Sequence, residues 1–346
     1  MEDESCWRSL LIRLAQLGMI VSVIVLLFYL TSPSSTVNQL SDVEAFKGPK
    51  LRFMSFNLWF TGHMVSNGLE KVAKHIKRVD PDIVALQEVQ TVYELDELMD
   101  LLGPGWYGSF RGWAQSPGQA IVSKHLLNFT NSFQLQAGFG IELIPVNMSK
   151  VRVVDMHLNA KSFGSYAANN KMVTEMEQIL AGEADRVEQI KELLAHETFK
   201  QWDAESETVP ILVAGDFNSA SHLDWMENRK EEHGGWVVEW PTTKILMNAG
   251  FLDSYSEKHP DPIKKPGHSW SIIQKNAFAW NFTIPEPQDR IDFIFFKSNY
   301  LAVKDSYLYG GDEPQKIWPN YQENDYPSDH YAMVTDFVFK VNTMFE

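Results

Sequence analysis

The chain has 346 residues, and its hydrophobic content of 44% is enough to bury a large core, so one main layered domain is expected for this length. Its formal net charge of -15 argues against a broad basic surface of the kind that gives non-specific affinity for duplex nucleic acid. Cys6 is the only cysteine, which excludes an intramolecular disulfide.

The N-terminal region carries one long uncharged run. Residues 14–30 read LAQLGMIVSVIVLLFYL and follow Arg8 and Arg13, and no lysine or arginine occurs again before Lys47. The run is close to the length of a membrane span, and the charge asymmetry orients its start toward the cytoplasm. We therefore expect a cytoplasmic tail at 1–13, a transmembrane signal anchor at 14–30, a linker at 31–48 and a catalytic domain at 49–346. That domain would face the lumen or the exterior, or be secreted if the run is cleaved, with candidate glycosylation sites at Asn128, Asn147 and Asn281.

Strand-like and helical patterns alternate after the linker. Apolar runs at 51–58 and 83–86 are typical of buried strands, and between them apolar residues recur at helical spacing over 69–79. Further strands are predicted at 151–157, 209–214, 290–296 and 331–339, and a helix within 183–195. Units of strand, helix and strand predict a layered α/β domain.

Three segments do not fit this alternation. Residues 161–182 are longer than a strand-to-helix link requires, and they follow a candidate catalytic histidine, so we interpret them as a specificity loop. Residues 221–248 and 310–326 contain Trp, Gly, Pro and acidic residues, which favours long surface loops.

Several hydrophobic runs end in polar residues that suit a metal ion and a phosphate. They are Ser55-Phe56-Asn57, Leu86-Gln87-Glu88, Asp155-Met156-His157, Gly215-Asp216-Phe217-Asn218 and Ser328-Asp329-His330. Asp292 lies inside an apolar strand, where an unpaired carboxylate would cost several kcal/mol, so it is expected to have a partner. Oxygen ligands of this kind suit Mg²⁺.

Each motif also has a simpler structural interpretation. Glu88 alone could be a solvated carboxylate at a strand end. Asp216 and Asn218, two residues apart, could form an Asx-turn, or they could grip one phosphate or water together because alternate side chains of an extended segment face the same way. His157 could be a structural histidine.

Taken in order along residues 50–337, these motifs resemble the endonuclease/exonuclease/phosphatase superfamily. The resemblance implies a four-layer α/β/β/α sandwich of two packed mixed β-sheets flanked by helices. It also implies Glu88 as principal metal ligand with Asn57 and Asp329 beside it, and Mg²⁺, or else Mn²⁺, as the cofactor. The implied catalytic residues are His330, Asp292, Asp216 and His157, and the implied phosphate ligands are Asn218, His157 and Asn57. In this scheme Asp216 orients or deprotonates the attacking water, and Asp292 fixes the imidazole of His330.

The expected function is metal-dependent hydrolysis of a phosphodiester, with lipid and nucleic acid as alternative substrates. His157-Leu158-Asn159-Ala160 is similar to the His-x-Gln-Ala of sphingomyelinases, with Asn in place of Gln. The alternatives are a deoxyribonuclease-like endonuclease, a sphingomyelinase-like lipid phosphodiesterase and a binding module of the same fold without catalysis. The sequence shows no obligate protein partner, and the expected contact with a membrane is through the N-terminal helix.

Overall fold

The computed structural model describes residues 47–113, 116–144 and 150–340, which form two six-stranded β-sheets. The strands are β1 (Lys50–Asn57), β2 (Ile83–Val89), β3 (Tyr107–Trp113), β4 (Ser116–Ser123), β5 (Leu126–Leu135), β6 (Gly138–Ile144), β7 (Val151–His157), β8 (Ile211–Asp216), β9 (Leu252–Asp253), β10 (Asp292–Lys297), β11 (Leu301–Tyr309) and β12 (Ala332–Phe339). The first sheet has the order β11-β12-β1-β2-β4-β3 and the second the order β5-β6-β7-β8-β10-β9. Both sheets are mixed, because β1 with β2 and β7 with β8 are parallel pairs among antiparallel neighbours.

Helices cover the outer faces of the two sheets. They are α1 (Gly68–Val79), α2 (Val92–Leu102), α3 (Gly164–Asn169), α4 (Met176–Leu180), α5 (Ala184–Ala195), α6 (Glu197–Ala204), α7 (Pro241–Asn248) and α8 (Ser254–Lys258), with 3₁₀ turns at Ala181–Glu183, Glu227–His233 and Phe278–Trp280. Helices α1 and α2 pack on the first sheet, and α5, α6 and α7 pack on the second. This arrangement confirms the predicted four-layer sandwich.

The alternation of side chains in β1 shows how the layers are built. Phe53 faces the core between the two sheets, whereas Met54 and Phe56 face the core under α1 and α2. All three are fully buried, as expected for a strand that is covered on both faces. Helix α1 ends as predicted before Pro81, where Asp80 adopts a left-handed conformation and its N–H caps Ile76 O at 2.9 Å.

Two of the loop predictions were wrong. Residues 161–182 contain α3 and α4, although the position of the segment beside His157 is as expected. Residues 221–248 are not only a surface loop, since Trp225, Val238 and Trp240 form a separate buried cluster with α3 and α4. In both cases the helices are too short for their apolar spacing to be recognised.

The expectations about the membrane need correction. Across residues 47–113, 116–144 and 150–340, the structure contains no helix that combines the length and apolarity needed to cross a bilayer. This contradicts the predicted single-pass anchor and the lumenal or extracellular location that depended on it. The predicted tail, anchor and nearly all of the predicted linker, residues 1–46, lie outside the described residues.

Candidate active site

A row of three polar side chains crosses the second sheet. In the parallel pairing of β7 with β8, His157 lies beside Asp216, and in the antiparallel pairing of β8 with β10, Asp292 lies on the other side of Asp216. His157 Nε2 is 3.6 Å from Asp216 Oδ2. Strand register therefore brings these three residues to one edge of the sandwich, although they are far apart in sequence.

The side-chain amide of Asn57 joins the first sheet to this row. Its Nδ2 donates to Glu88 Oε1 at 3.2 Å and to Asp216 Oδ2 at 3.0 Å. Its Oδ1 accepts the Trp59 N–H at 3.0 Å. Both amide protons are therefore used, and in this structure Asn57 holds two acidic side chains at a fixed separation.

Glu88 lies at an irregularity of β2. The strand register shifts between Gln87 and Val89, and Glu88 has a positive φ of 61°, which is uncommon for a residue other than glycine and often occurs at functional sites. The bulge turns the carboxylate toward Asn57, and Glu88 Oε2 accepts the Phe60 N–H at 2.9 Å. Local backbone geometry thus aims this side chain into the site.

His330 is buried and paired with Asp292. Its Nδ1 is 3.0 Å from Asp292 Oδ2, and its Nε2 is 3.8 Å from Asp216 Oδ2. Ser328 links the histidine to β1, because its Oγ donates to Asn57 O at 2.7 Å and accepts the His330 N–H at 3.0 Å. The structure therefore supplies the partner that Asp292 was expected to need.

Asp329 lies on the same side of the site as Glu88. Trp270 Nε1 donates to its Oδ2 at 3.3 Å, and its Oδ1 is buried without a hydrogen-bond partner in the described structure. Burial raises the pKa of Asp329, His330 opposes this effect and the charge of Glu88 supports it, so that the pKa is about 6. Two acidic side chains that disfavour each other's charge are an environment that a cation would relieve.

The pKa values of His330 and Asp216 depend on the number of carboxylates that surround the single imidazole. Burial lowers the pKa of His330, but the carboxylates of Asp292 and Asp216 outweigh it and raise that pKa to about 10. Burial raises the pKa of Asp216, and His330 opposes this effect. At neutral pH the imidazole is therefore protonated, and it carries positive charge among the carboxylates.

The group formed by Asp216, Asp292 and His330 could hold a metal ion. One ligand atom from each residue lies within 4.8 Å of the others. His330 Nδ1 is already paired with Asp292, so only Nε2 of this imidazole is available to an ion. The buried oxygens that lack a hydrogen bond, Asp292 Oδ1 and Asp329 Oδ1, fit the preference of a hard divalent cation for oxygen ligands.

Asn218 is held in two ways. Its N–H donates to Asp216 Oδ1 at 2.9 Å, and its Nδ2 donates to Leu158 O at 3.1 Å. The first bond is the Asx-turn of the simpler interpretation. Asp216 Oδ2 nevertheless faces Asn57, His157 and His330, so the turn and an active role for Asp216 are compatible.

Sequence reasoning missed residues that orient the site from outside it. Ser269 Oγ accepts the backbone N–H groups of Ile291 and Asp292, both at 3.0 Å, and Trp270 contacts Asp329 as described above. Residues 269 and 270 belong to no recognisable strand or motif, and two long-range isolated bridges, to Asp289 and to His330, bring Trp270 to the site. No pattern in the sequence marks such a contact.

Comparisons with known proteins agree with this geometry. Residues 54–330 match the model of the Endonuclease/Exonuclease/phosphatase family, a range that includes every predicted site residue. The chain belongs to this family. It is therefore a member of a superfamily of phosphoester hydrolases that includes nucleases and phospholipases.

Individual family members extend the comparison. An uncharacterized protein of Caenorhabditis elegans is 42% identical over 290 residues, which are 84% of this chain and 91% of that protein. The inositol phosphosphingolipids phospholipase C of Schizosaccharomyces pombe is 35% identical over 335 residues, with 85% of this chain and 70% of that protein covered. Truncated Caenorhabditis elegans TDP2 superimposes with a TM-score of 0.52 at 17% identity, over 84% of this chain and 98% of that one, which supports the fold alone.

Proposed function

We propose that this chain is a divalent-metal-dependent phosphodiesterase that favours a phospholipid-type diester. The observation that carries the proposal is the convergence of Asp292, Asp216 and Asp329 on one buried imidazole, His330. Asn57 bridges the two sheets and holds Glu88 beside this group. Phosphoryl transfer depends mainly on positioning and on neutralising charge at the phosphoryl oxygens, and this arrangement provides groups for both.

Mg²⁺, with Mn²⁺ as a substitute, would be held by Glu88 and Asp329, with Asn57 beside them. Asp329 Oδ1 has no hydrogen bond among the described residues and lies 3.9 Å from His330 Nε2, and the carboxylate of Glu88 is half-buried. These two groups match an ion that takes one or two carboxylates and keeps several waters. When bound, the ion would neutralise charge on the phosphate as a Lewis acid. The amide of Asn57 keeps Glu88 aligned for this role.

The remaining side chains divide the proton transfers. Asp216, held by Asn57 and by the N–H of Asn218, would orient the attacking water and accept its proton. His330 would donate from Nε2 to a phosphoryl oxygen while Asp292 holds Nδ1. Asn218 would bind the phosphate. His157, which is 17% exposed at its side chain, would bind it as well or protonate the leaving oxygen.

The choice of substrate rests on the chain's charge and on its fission yeast relative. That relative is named as a phospholipase C for inositol phosphosphingolipids and aligns along most of both chains. The net charge of -15 disfavours a polyanionic nucleic acid unless local charge compensates. The phosphodiester of a lipid carries a single phosphate, so an acidic protein repels it less than it repels a nucleic acid with many phosphates.

The test uses the full chain, with and without chelator, on three substrates. Bis-(p-nitrophenyl) phosphate, a phosphosphingolipid and plasmid DNA would be compared after EDTA treatment and after addition of Mg²⁺ or Mn²⁺. Turnover should vanish with EDTA, return with metal and be greatest on the lipid. Glu88→Gln should weaken Mg²⁺ dependence of thermal stability and remove turnover, whereas Glu70→Gln on the exposed face of α1 should do neither. Full activity in EDTA would exclude the metal mechanism, and absence of turnover on all substrates would favour the binding module.

A further inference from the structure

A groove of about 820 Å³ lies beside the active site. It is formed by residues of the segment 161–182, interpreted from the sequence as a specificity loop, together with Ala160 and Trp280. Its volume falls within the range of about 300–1,000 Å³ typical of ligand pockets. The groove is a feature of this insertion and contains none of the catalytic residues described above.

The walls of the groove are fixed to each other by close backbone contacts. A Cβ on Gly182 would lie 2.2 Å from Ser162 O, and one on Gly164 would lie 2.9 Å from Ile179 O. These distances leave no room for a side chain, so both glycines are required for the two walls to approach. The groove is therefore part of the folded structure and is formed before any ligand binds.

The groove is also connected to the catalytic residues. Its first lining residue, Ala160, follows His157 by three positions, and Leu158 between them accepts a hydrogen bond from Asn218. At its other end, Glu183 follows the lining residue Gly182, and Glu183 Oε2 accepts the Ser219 hydroxyl at 2.7 Å. Both ends are thus attached to segments that carry His157 and Asn218, the two residues proposed to bind the phosphate.

Two of the polar side chains in the groove, Tyr166 and Gln178, already form hydrogen bonds within the protein. Tyr166 OH donates to Glu286 Oε1 at 2.5 Å, and Gln178 Oε1 accepts the N–H groups of Thr174 and Glu175, both at 3.1 Å. The lining also includes Lys161 and Ser162, but most of its exposed surface is apolar and comes from Phe163, Ala167, Met172 and Trp280. Such a lining suits an aliphatic chain better than a nucleobase, because a base would bring hydrogen-bonding edges that need partners.

We propose that this groove binds an aliphatic arm of the phosphodiester substrate and so selects lipid-like diesters. The proposal rests on the phosphodiesterase function proposed above and adds a residue set for its specificity. Burial of each methylene is worth about 0.8 kcal/mol, or roughly fourfold in affinity, when burial is complete. Trp280 and Met172 are 44% and 43% exposed in the absence of a ligand, so they have surface available for an incoming chain.

The test separates chain binding from catalysis by using two series of soluble ligands. The first is a set of alkyl p-nitrophenyl phosphodiesters from methyl to octyl, kept below their micellar concentrations. The second is the matching set of alkyl phosphate monoesters, whose dissociation constants are measured by calorimetry in the presence of Mg²⁺. Both KM and Kd should fall with chain length, by about two- to fourfold per methylene for a partly open groove.

Two variants locate the effect. Trp280→Ala removes one wall, and Ala167→Trp fills the groove with a large side chain. Each should reduce the ratio of methyl to octyl KM by about tenfold or more, which corresponds to the loss of two or more buried methylenes. Phe129→Ala is the matched control, because Phe129 is also an exposed aromatic residue, at 63%. It lies in β5 next to Asn128, which is opposite Glu142 in β6, and Glu142 is opposite Arg152 in β7. Arg152 is near the start of β7, at the end remote from His157.

The outcomes distinguish this proposal from the function on which it rests. Chain-length-dependent Kd without any turnover would leave the groove assignment intact and overturn the proposed hydrolase function. Turnover with KM and Kd independent of chain length, in the protein and in both variants, would overturn the groove assignment. A thymidine p-nitrophenyl phosphodiester that binds more tightly than the octyl diester and loses affinity in Trp280→Ala would overturn it in favour of a nucleobase.

Discussion

At the scale of single residues, the pair of His330 and Asp292 is the most direct test of the site. We expect His330→Ala to reduce turnover by about two to four orders of magnitude, the usual range for a positioned acid or base. Asp292→Asn should change turnover in the same direction, because the imidazole loses the carboxylate 3.0 Å from Nδ1. Steady-state kinetics on the best substrate of the panel would measure both effects.

A second readout distinguishes catalysis from folding in these variants. Glu88 and Asn57 remain in place, so Mg²⁺ should still raise the melting temperature of each variant. Variants that keep near-normal turnover would show that the site is elsewhere. Variants that fail to fold at the growth temperature would show that the pair is structural. Ser269→Ala, which removes a hydrogen-bond acceptor from the backbone N–H of Asp292, would then test the site with a smaller effect on folding.

The sequence predicted which residues meet, but not what each one contacts. Asn57 was expected as a ligand of the metal or the phosphate. In the structure its two amide protons are given to Glu88 and to Asp216, which lies 159 positions away. A bond of this kind depends on how two sheets are stacked, and a local motif contains no information about stacking.

At the scale of secondary structure, the insertion at 161–182 depends on one buried arginine. Arg186 in α5 is fully buried, and its guanidinium donates to Asn159 O at 2.7 Å, Lys161 O at 2.8 Å and Gly182 O at 2.8 Å. It also pairs with Glu183 Oε1 at 2.6 Å. The two ends of the segment are therefore held by the same side chain.

We expect Arg186→Ala to lower the free energy of unfolding by about 3–5 kcal/mol, since it leaves Glu183 as a buried and unpaired charge. The same variant should increase proteolytic cleavage within residues 161–182. Arg78→Ala is the matched control, because Arg78 pairs with Asp312 on the surface, where both side chains are more than half exposed, and should cost no more than about 1 kcal/mol. Chemical denaturation and limited proteolysis measure these effects, and equal losses in the two variants would contradict the assignment.

The same segment shows the limit of periodicity. The 12-residue helix α5 was predicted within 183–195, because Val187, Ile190, Leu193 and Leu194 recur at helical spacing. Helices α3 and α4 have six and five residues, and isolated helices of such length are unstable in water. They exist because Ala168 and Ile179 pack against Trp225 and Trp240, residues from another segment that the sequence pattern cannot connect to them.

At the scale of the whole molecule, two buried carboxylates in the second sheet have opposite environments. Asp155 in β7 accepts Gln87 Nε2 from β2 at 2.6 Å and so joins the two sheets. Burial nevertheless raises the pKa of Asp155 well above its usual range, despite this bond and the positive charge of Arg111. Its native state therefore binds a proton more tightly than the unfolded state does.

Glu142 in β6 is also buried, but four donors surround it. They are Asn128 Nδ2 at 3.0 Å, Asn131 Nδ2 at 2.9 Å, Lys150 Nζ at 3.0 Å and Arg152 Nε at 3.3 Å. Burial alone would raise the pKa of Glu142, and these donors and cations lower it below its usual value. Its native state therefore binds a proton less tightly than the unfolded state does.

These environments predict pH dependences of opposite sign for two isosteric variants. The contribution of Asp155 to stability is complete below the unfolded pKa of about 3.9 and is lost as the pH rises toward its raised native pKa. Asp155→Asn should therefore become more stable relative to the wild type as the pH increases from 4 to 8. The contribution of Glu142 is present above the unfolded pKa of about 4.3 and is lost as the pH falls through its lowered native pKa. Glu142→Gln should therefore be less stable than the wild type at pH 7, by about 1.5–3 kcal/mol for the loss of charged hydrogen bonds, and the difference should shrink toward pH 3.

Denaturant unfolding of both variants and the wild type at four or five pH values measures the two slopes. Each slope is a difference between a variant and the wild type under the same conditions, so contributions from the catalytic carboxylates and from His330 cancel where they are common to both proteins. A pH-independent difference for Asp155→Asn would mean that Asp155 has the same pKa in the folded and unfolded chains. The contact between Gln87 and Asp155 would then act as an ordinary hydrogen bond between the sheets, with no proton uptake linked to their association.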